Sequence, residues 1–289
     1  MEHQRCWNLL HRCVGAGETA PVSDRVVAPR RRQLILDELR RTGSVRVSSL
    51  TRTLGVSDMT VRRDLDALGG AGLLVKVHGG ATTPDDRSRH AEEPAFREKS
   101  GRQIAEKRGI AEAAAALVRS GTAIGVGAGT TTWYFAQSIK EVRDLLVVTN
   151  SVHVADVLYD QDRPDRTVIL TGGQRTPSDA LVGPLAAHAL EGLHLDQVFI
   201  GVHGMSQRAG FSTPNLLEAD INRAFVRAAD RLVVLADHTK WRTVGLSTFA
   251  RLDEAHLLVS DAGLDEATRD RLSATVGELV IADPAPTAA

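Results

Sequence analysis

The sequence predicts an α/β protein in two parts: a small three-helix module closed by a hairpin, then a larger domain on a mostly parallel sheet. Three observations carry that reading. Short apolar helical patterns crowd residues 30–81 and end in the strand-like run "LLVKVHGG". After residue 101, continuous β-branched runs alternate with helical segments, as in a sheet whose strands are buried on both faces. Between them the polar stretch "ATTPDDRSRHAEEPAFREKSG", interrupted by Pro84 and Pro94, reads as a linker. The expected divisions are a flexible N-terminal extension (1–29), the helical module (30–81), the linker (82–101), the α/β domain (102–283) and a tail (284–289).

In the extension, "WNLLHRCVGAG" is too short an apolar run to read as a signal peptide, and His11 and Arg12 interrupt it. Cys6 and Cys13, with His3 and His11 nearby, match no zinc spacing, and no metal is expected. Without a disulfide framework the expected compartment is the cytoplasm. No apolar run approaches the roughly 18 residues that span a bilayer, so no membrane partner is expected.

The helical module is built in three steps. From Arg31 to Thr42, Leu34, Ile35, Leu36 and Leu39 give one apolar face, and Gly43 ends the helix. From Val47 to Leu54, Val47, Leu50 and Leu54 recur on one side, and Gly55 supplies a tight turn. Ser57 then caps a third helix in which Val61, Leu65 and Leu68 face the core. At about 100° per residue, Arg63 falls opposite that core face with Met59 beside it, and Arg62 and Thr60 take the two flanks. The module holds ten lysines and arginines against five acids between Arg30 and Gly80, although the whole chain has net charge −1.

A helix that presents a hydroxyl, an N-terminal dipole and two guanidinium groups suits a DNA major groove, where arginine bridges guanine acceptors or phosphates. Taken alone, the same helix could be a solvated face whose arginines pair with Asp64 and Asp66. The preceding helix, the turn, the basic balance and a hairpin wing carrying Lys76 and His78 all agree with double-stranded DNA. The candidate contacts are Ser57, Met59, Thr60, Arg62, Arg63, Lys76 and His78. The run from "RRQLILDELRR" through "S-x-x-T-V-R-R-D-L" to "H-G-G-A" resembles the winged helix-turn-helix of DeoR-family (GlpR-type) bacterial repressors. The resemblance implies transcriptional control of a carbohydrate operon, relieved when a phosphorylated sugar binds the C-terminal domain.

The α/β domain takes its strands from "TAIGVG", "LLVVTN", "TVILTGG", "DQVFIGVHG", "RLVVLAD", "AHLLVSD" and "ELVIA". Its helices are expected at residues 104–120, 151–159, 185–192, 214–229 and 266–276, with Thr213 capping the fourth and Pro214 at its first position. In "IGVGAGTTTWYFA", Gly127 and Gly129 turn sharply, and Thr130, Thr131 and Thr132 open a helix. Bare amides and hydroxyls at a helix N-terminus make a phosphate cradle, or else simply a turn that needs glycine. No lysine follows as in a Walker loop, and the dinucleotide fingerprint is incomplete. Other strand ends carry Asn150, Ser151, Gly172, Gly173, Gly201, Asp237 and Lys240, where α/β ligands usually sit. Glu218 adds a carboxylate for hydroxyls and Lys240 a cation for phosphate.

This half resembles the DeoR-family sensor domain, and the resemblance implies a fold related to ribose-5-phosphate isomerases. Two positions depart from the family: Gly127 replaces an acid common before the Gly-Thr-Thr loop, and Asn222 replaces a lysine often found four residues beyond the glutamate. The expected mechanism is a population shift in at least a dimer (a homodimer or homotetramer) whose recognition helices match paired half-sites until a sugar phosphate binds. No cofactor is expected beyond that effector. The competing reading is a sugar-phosphate isomerase with an accessory DNA-binding domain, with Glu218 or Asp237 as general base.

Overall fold

The computed structural model describes residues 27–42, 44–77, 79–82 and 96–285. Expectations for the N-terminal extension up to residue 26, Gly43, His78, most of the linker (83–95) and residues 286–289 lie outside the described residues.

The small module runs α1 (Ala28–Thr42), β1 (Ser44–Arg46), α2 (Val47–Leu54), α3 (Asp58–Gly70), β2 (Val75–Val77) and β3 (Gly80–Thr82). Helix α1 starts three residues earlier than its apolar pattern, because Pro29 falls in the first turn, where a missing N–H has no helical partner to lose. Ile35 and Leu39 point into the core with Leu50, Val61, Leu65, Leu68 and Leu74, whereas Leu34 lies outside the buried arc at 41% exposure. Gly55 closes α2 in the left-handed region (φ 63°), where a side chain is strained. Ser57 caps α3 by accepting from the Thr60 amide at 3.3 Å. The wing has three strands, ordered β1-β3-β2 and antiparallel. Strand β1 is three residues long, too short to show a period, and it forms only by pairing Val45 with Ala81 across the module.

The larger domain continues with α4 (Phe96–Ser100), α5 (Ile104–Ala115), β4 (Ala123–Val126), α6 (Thr130–Ser138), β5 (Leu145–Thr149), α7 (Val152–Leu158), β6 (Arg166–Leu170), β7 (Gln174–Arg175), β8 (Leu181–Val182), α8 (Pro184–His188), β9 (Leu195–Gly201), β10 (Gly204–Ser206), β11 (Gly210–Thr213), α9 (Leu216–Ala228), β12 (Ala229–Leu235), β13 (Ser247–Ala250), β14 (Leu257–Asp261), α10 (Glu266–Ser273) and β15 (Leu279–Ala282). Each of the seven apolar runs supplies one strand of a seven-stranded sheet ordered β15-β14-β12-β9-β4-β5-β6, parallel at every pairing. Alternate residues along a strand feed opposite cores. In β9, Val198 and Ile200 join Phe211 and Phe225 on one face, while Phe199 stacks on Phe135 of α6 on the other.

Three expectations are corrected. Helix α9 is capped by Asn215, whose side chain accepts from the Leu217 and Glu218 amides, and not by Thr213. Thr213 is instead the last residue of β11, which pairs with β10 and β13 in an antiparallel side sheet. Helix α5 ends at Ala115, before the expected residue 120, because the Leu117 and Val118 amides tighten to carbonyls three residues back. The C-terminal end of the supposed linker is ordered: Phe96 is buried, its ring 3.9 Å from His153 and set edge-on to Trp133.

Candidate functional site

In the small module, Met59, Arg62 and Arg63 are exposed on one side of α3 while Val61 and Leu65 are buried on the other. Arg62 donates to Asp58 one turn earlier at 3.2 Å, and not to Asp64 or Asp66. Those two acids have other partners. Asp64, only 2% exposed, accepts from Arg31 and from Arg32 (3.0 Å), which binds the start of α1 to α3. Asp66 takes Lys76 of the wing, so that Lys76 is tied to the far end of α3. The Ser57 and Thr60 hydroxyls hydrogen-bond each other at 2.9 Å beside the first amides of α3.

The larger domain carries a cavity of about 310 Å³ beyond the carboxyl ends of β4, β5 and β9. Of the residues singled out in the sequence, it brings together Gly129, Thr130, Thr131, Asn150, Gly201, Glu218 and Lys240. Asn150 organises the loop: its Oδ1 accepts from the Ala128 amide at 2.9 Å and its Nδ2 donates to the Leu181 carbonyl at 3.1 Å. The Ala128 amide is thereby committed, which leaves the first-turn amides of α6 as the helix's unshared donors.

The remaining six do not line the cavity. The Gly127 amide is held in the sheet by the Phe199 carbonyl, and the Thr132 hydroxyl turns back to the Gly129 carbonyl. Ser151 is spent capping α7 through the Val154 amide. Gly172 and Gly173 form the turn from β6 to β7. Asp237 is buried behind Lys240, where one carboxylate oxygen accepts from the Thr239 amide. Its other oxygen faces the Lys240 ammonium at 3.9 Å without a hydrogen bond among the described residues.

Three cations on the lining went unrecognised in the sequence: Lys99, Arg102 and Lys107. Lys107 is 3% exposed and its ammonium donates to the carbonyls of Lys99 (2.6 Å) and Arg102 (2.5 Å). It therefore fixes the turn that carries the other two. Burial lowers the Lys107 ammonium to about 8; Asp237 opposes the shift, and Lys240, Lys99 and Arg102 add to it. Its signal was present, a lysine inside an alanine-rich helix, but partners five and eight residues upstream are visible only once the chain turns back.

Glu218 is the one carboxylate of the lining among the described residues. Its Oε1 accepts from Ser178 and from Thr176 (3.3 Å), and its Oε2 from Thr213 (2.9 Å). Asn222 also lines the wall. The lining thus combines four cations, three of which act electrostatically on the fourth, Lys107, with a hydroxyl-accepting carboxylate, a combination suited to a small polar anion.

A basic winged helix-turn-helix joined to an α/β domain with such a cavity defines a transcriptional regulator with a sensor domain. Comparison with known proteins places it further. Residues 31–87 match the DeoR-like helix-turn-helix domain and residues 102–262 the DeoR C terminal sensor domain. The chain belongs to the DeoR family of transcriptional regulators. It is 34% identical to the uncharacterized HTH-type transcriptional regulator FruR of Bacillus subtilis (strain 168), over 85% of this chain and 95% of that one. It is also 34% identical to the lactose phosphotransferase system repressor of Staphylococcus aureus (strain NCTC 8325 / PS 47), over 78% and 90%. Among solved structures, ribose 5 phosphate isomerase A from Neisseria gonorrhoeae matches 47% of this chain at 19% identity and a TM-score of 0.35; this chain spans about half of that one (53%). No helix among the described residues is long and apolar enough to cross a membrane.

Proposed function

We propose that the chain represses a carbohydrate-metabolism operon in the cytoplasm and leaves its operator when a phosphorylated sugar fills the cavity of the α/β domain. The observation that carries this reading is the make-up of the cavity lining, which brings Lys99, Arg102, Lys107 and Lys240 together with Glu218. The cations and the first amides of α6 take the phosphate, and Glu218 with Asn150 takes sugar hydroxyls. Exposed Arg62 and Arg63 read the major groove, with Ser57, Thr60 and the wing on the flanking phosphates. Paired half-sites require at least a dimer, which the bound sugar shifts to a spacing that no longer fits.

A thermal-shift panel of sugar phosphates, each beside its unphosphorylated sugar, tests the reading. One phosphorylated member is expected to raise the melting temperature and to dissociate the operator complex at the same concentrations. Stabilisation by the unphosphorylated sugars alone, or by none of the panel, would remove the phosphate from the account.

A further inference from the structure

The two glycines of the "HGGA" segment take no part in the DNA face or the cavity, yet their surroundings are closely fitted. Gly79 has φ +85°, and a Cβ there would lie 2.9 Å from the Leu217 side chain. At Gly80 it would lie 2.5 Å from Leu216 and 1.9 Å from the Val45 carbonyl. The bare backbone of the wing is thus a seat for the first turn of α9 in the larger domain.

Arg46, at the end of β1, closes the same contact. Its guanidinium meets Asp220 at 3.0 Å and the Ser247 hydroxyl of β13 at 2.5 Å. Arg223 holds the same pair from α9, at 3.2 Å to each. Helical geometry sorts these residues. Leu216, Asp220 and Arg223 lie within about 60° of one another, whereas Glu218 and Asn222 fall roughly on the opposite side. One face of α9 therefore lines the cavity and the other carries the winged module.

We propose that α9 is the coupling element of the protein: the Arg46–Asp220–Ser247 contact and the Gly79–Gly80 seat transmit the state of Glu218 to the DNA-binding module. This inference deepens the sensor reading and rests on it. Glu218 is held by Ser178, Thr176 and Thr213, so a ligand that competes for those hydroxyls moves the first turn of α9. Ser247 is paired with Thr213 in the side sheet, which gives the displacement a second route to Arg46. Coupling of this kind needs a ligand only to favour one of two arrangements of a shared element.

Hydrogen–deuterium exchange on the full chain tests the coupling without any ligand. Asp220→Ala/Ser247→Ala is expected to speed exchange of segment 79–82 about tenfold, with the buried α5 segment 110–114 unchanged. Ser178→Ala, on the cavity side, is expected to speed the same segment at least about threefold through Glu218. Unaltered exchange of 79–82 in the double variant would overturn the docking contact, and an effect in the double variant but none in Ser178→Ala would overturn the coupling. Neither arm uses a sugar, so an effector screen that fails counts against the sensor reading alone. With a phosphorylated sugar that releases the unmutated chain from DNA, the double variant is expected to bind that sugar within about threefold yet to lose most of the release. Equal release would overturn the proposal.

Discussion

Replacing Lys107 with methionine keeps the apolar stem and removes the ammonium that both faces the cavity and anchors the Lys99 and Arg102 carbonyls. A hydrogen bond to a charged group contributes about 1.5–3 kcal/mol, so a phosphorylated ligand should bind roughly tenfold to a hundredfold more weakly. The pH dependence is sharper. Lys107 titrates at about 8, mainly because it is buried. A phosphate monoester with a second ionisation near pH 6 is already a dianion throughout the window from about pH 7.5 to 9. If only the ammonium form binds, affinity in the unmutated chain falls roughly eightfold across that window. Stability runs the other way. Below about pH 8 the lysine is protonated in both folded and unfolded chains and the cost of its burial is fully present. Between about 8 and its ordinary 10.5 the unfolded chain binds the extra proton, so this group's contribution to stability rises with pH. Lys107→Met should lose both slopes. Titration calorimetry at fixed ionic strength, with the sugar phosphate that most stabilises the protein, reads the first. Equal affinity in the variant, or a shared flat profile from pH 7.5 to 9, would refute the cationic assignment.

Asp64→Ala leaves the Arg31 guanidinium, 11% exposed, without its carboxylate. Breaking a buried ion pair costs about 3–5 kcal/mol, and the partial exposure of Arg32 places the expected loss near 3 kcal/mol, measured by denaturant unfolding of the small module's transition. Gly55→Val forces a β-branched residue into the left-handed turn between α2 and α3 and should destabilise the module by at least about 1–2 kcal/mol, whereas Gly55→Asn should fall well short of that. Operator affinity should decline linearly on logarithmic axes with added salt, and removing the ammonium of Lys76 should change the slope by no more than about one counterion, because Asp66 already holds it.

Much of the architecture was legible because it is written in local periods. Seven continuous apolar runs became seven neighbouring strands, and Val61, Leu65 and Leu68 reached the core of the small module at the spacing a helix requires. What escaped depends on contacts between distant residues. Strand β1 exists through its pairing with β3, and the β10-β11-β13 sheet through pairing across some forty residues. The cap of α9 moved from Thr213 to Asn215 because β11 claims Thr213 first. In the cavity, the strand-end rule found Asn150, Gly201 and Lys240, but not Lys99 and Arg102, which sit in a charged stretch with a single large apolar residue, Phe96. The rule also over-reached at Ser151 and Thr132, whose hydroxyls are spent on their own helices.

The most direct test measures DNA binding by Arg62→Ala/Arg63→Ala, using fluorescence anisotropy on duplexes that the unmutated chain selects from a random pool. The unmutated chain should prefer its selected duplex over random sequence by at least about a thousandfold at physiological salt. With each lost base or phosphate contact worth about 1–3 kcal/mol, the double variant should give up most of that preference while keeping its melting temperature. Selected duplex bound equally well by both proteins would contradict the recognition-helix assignment.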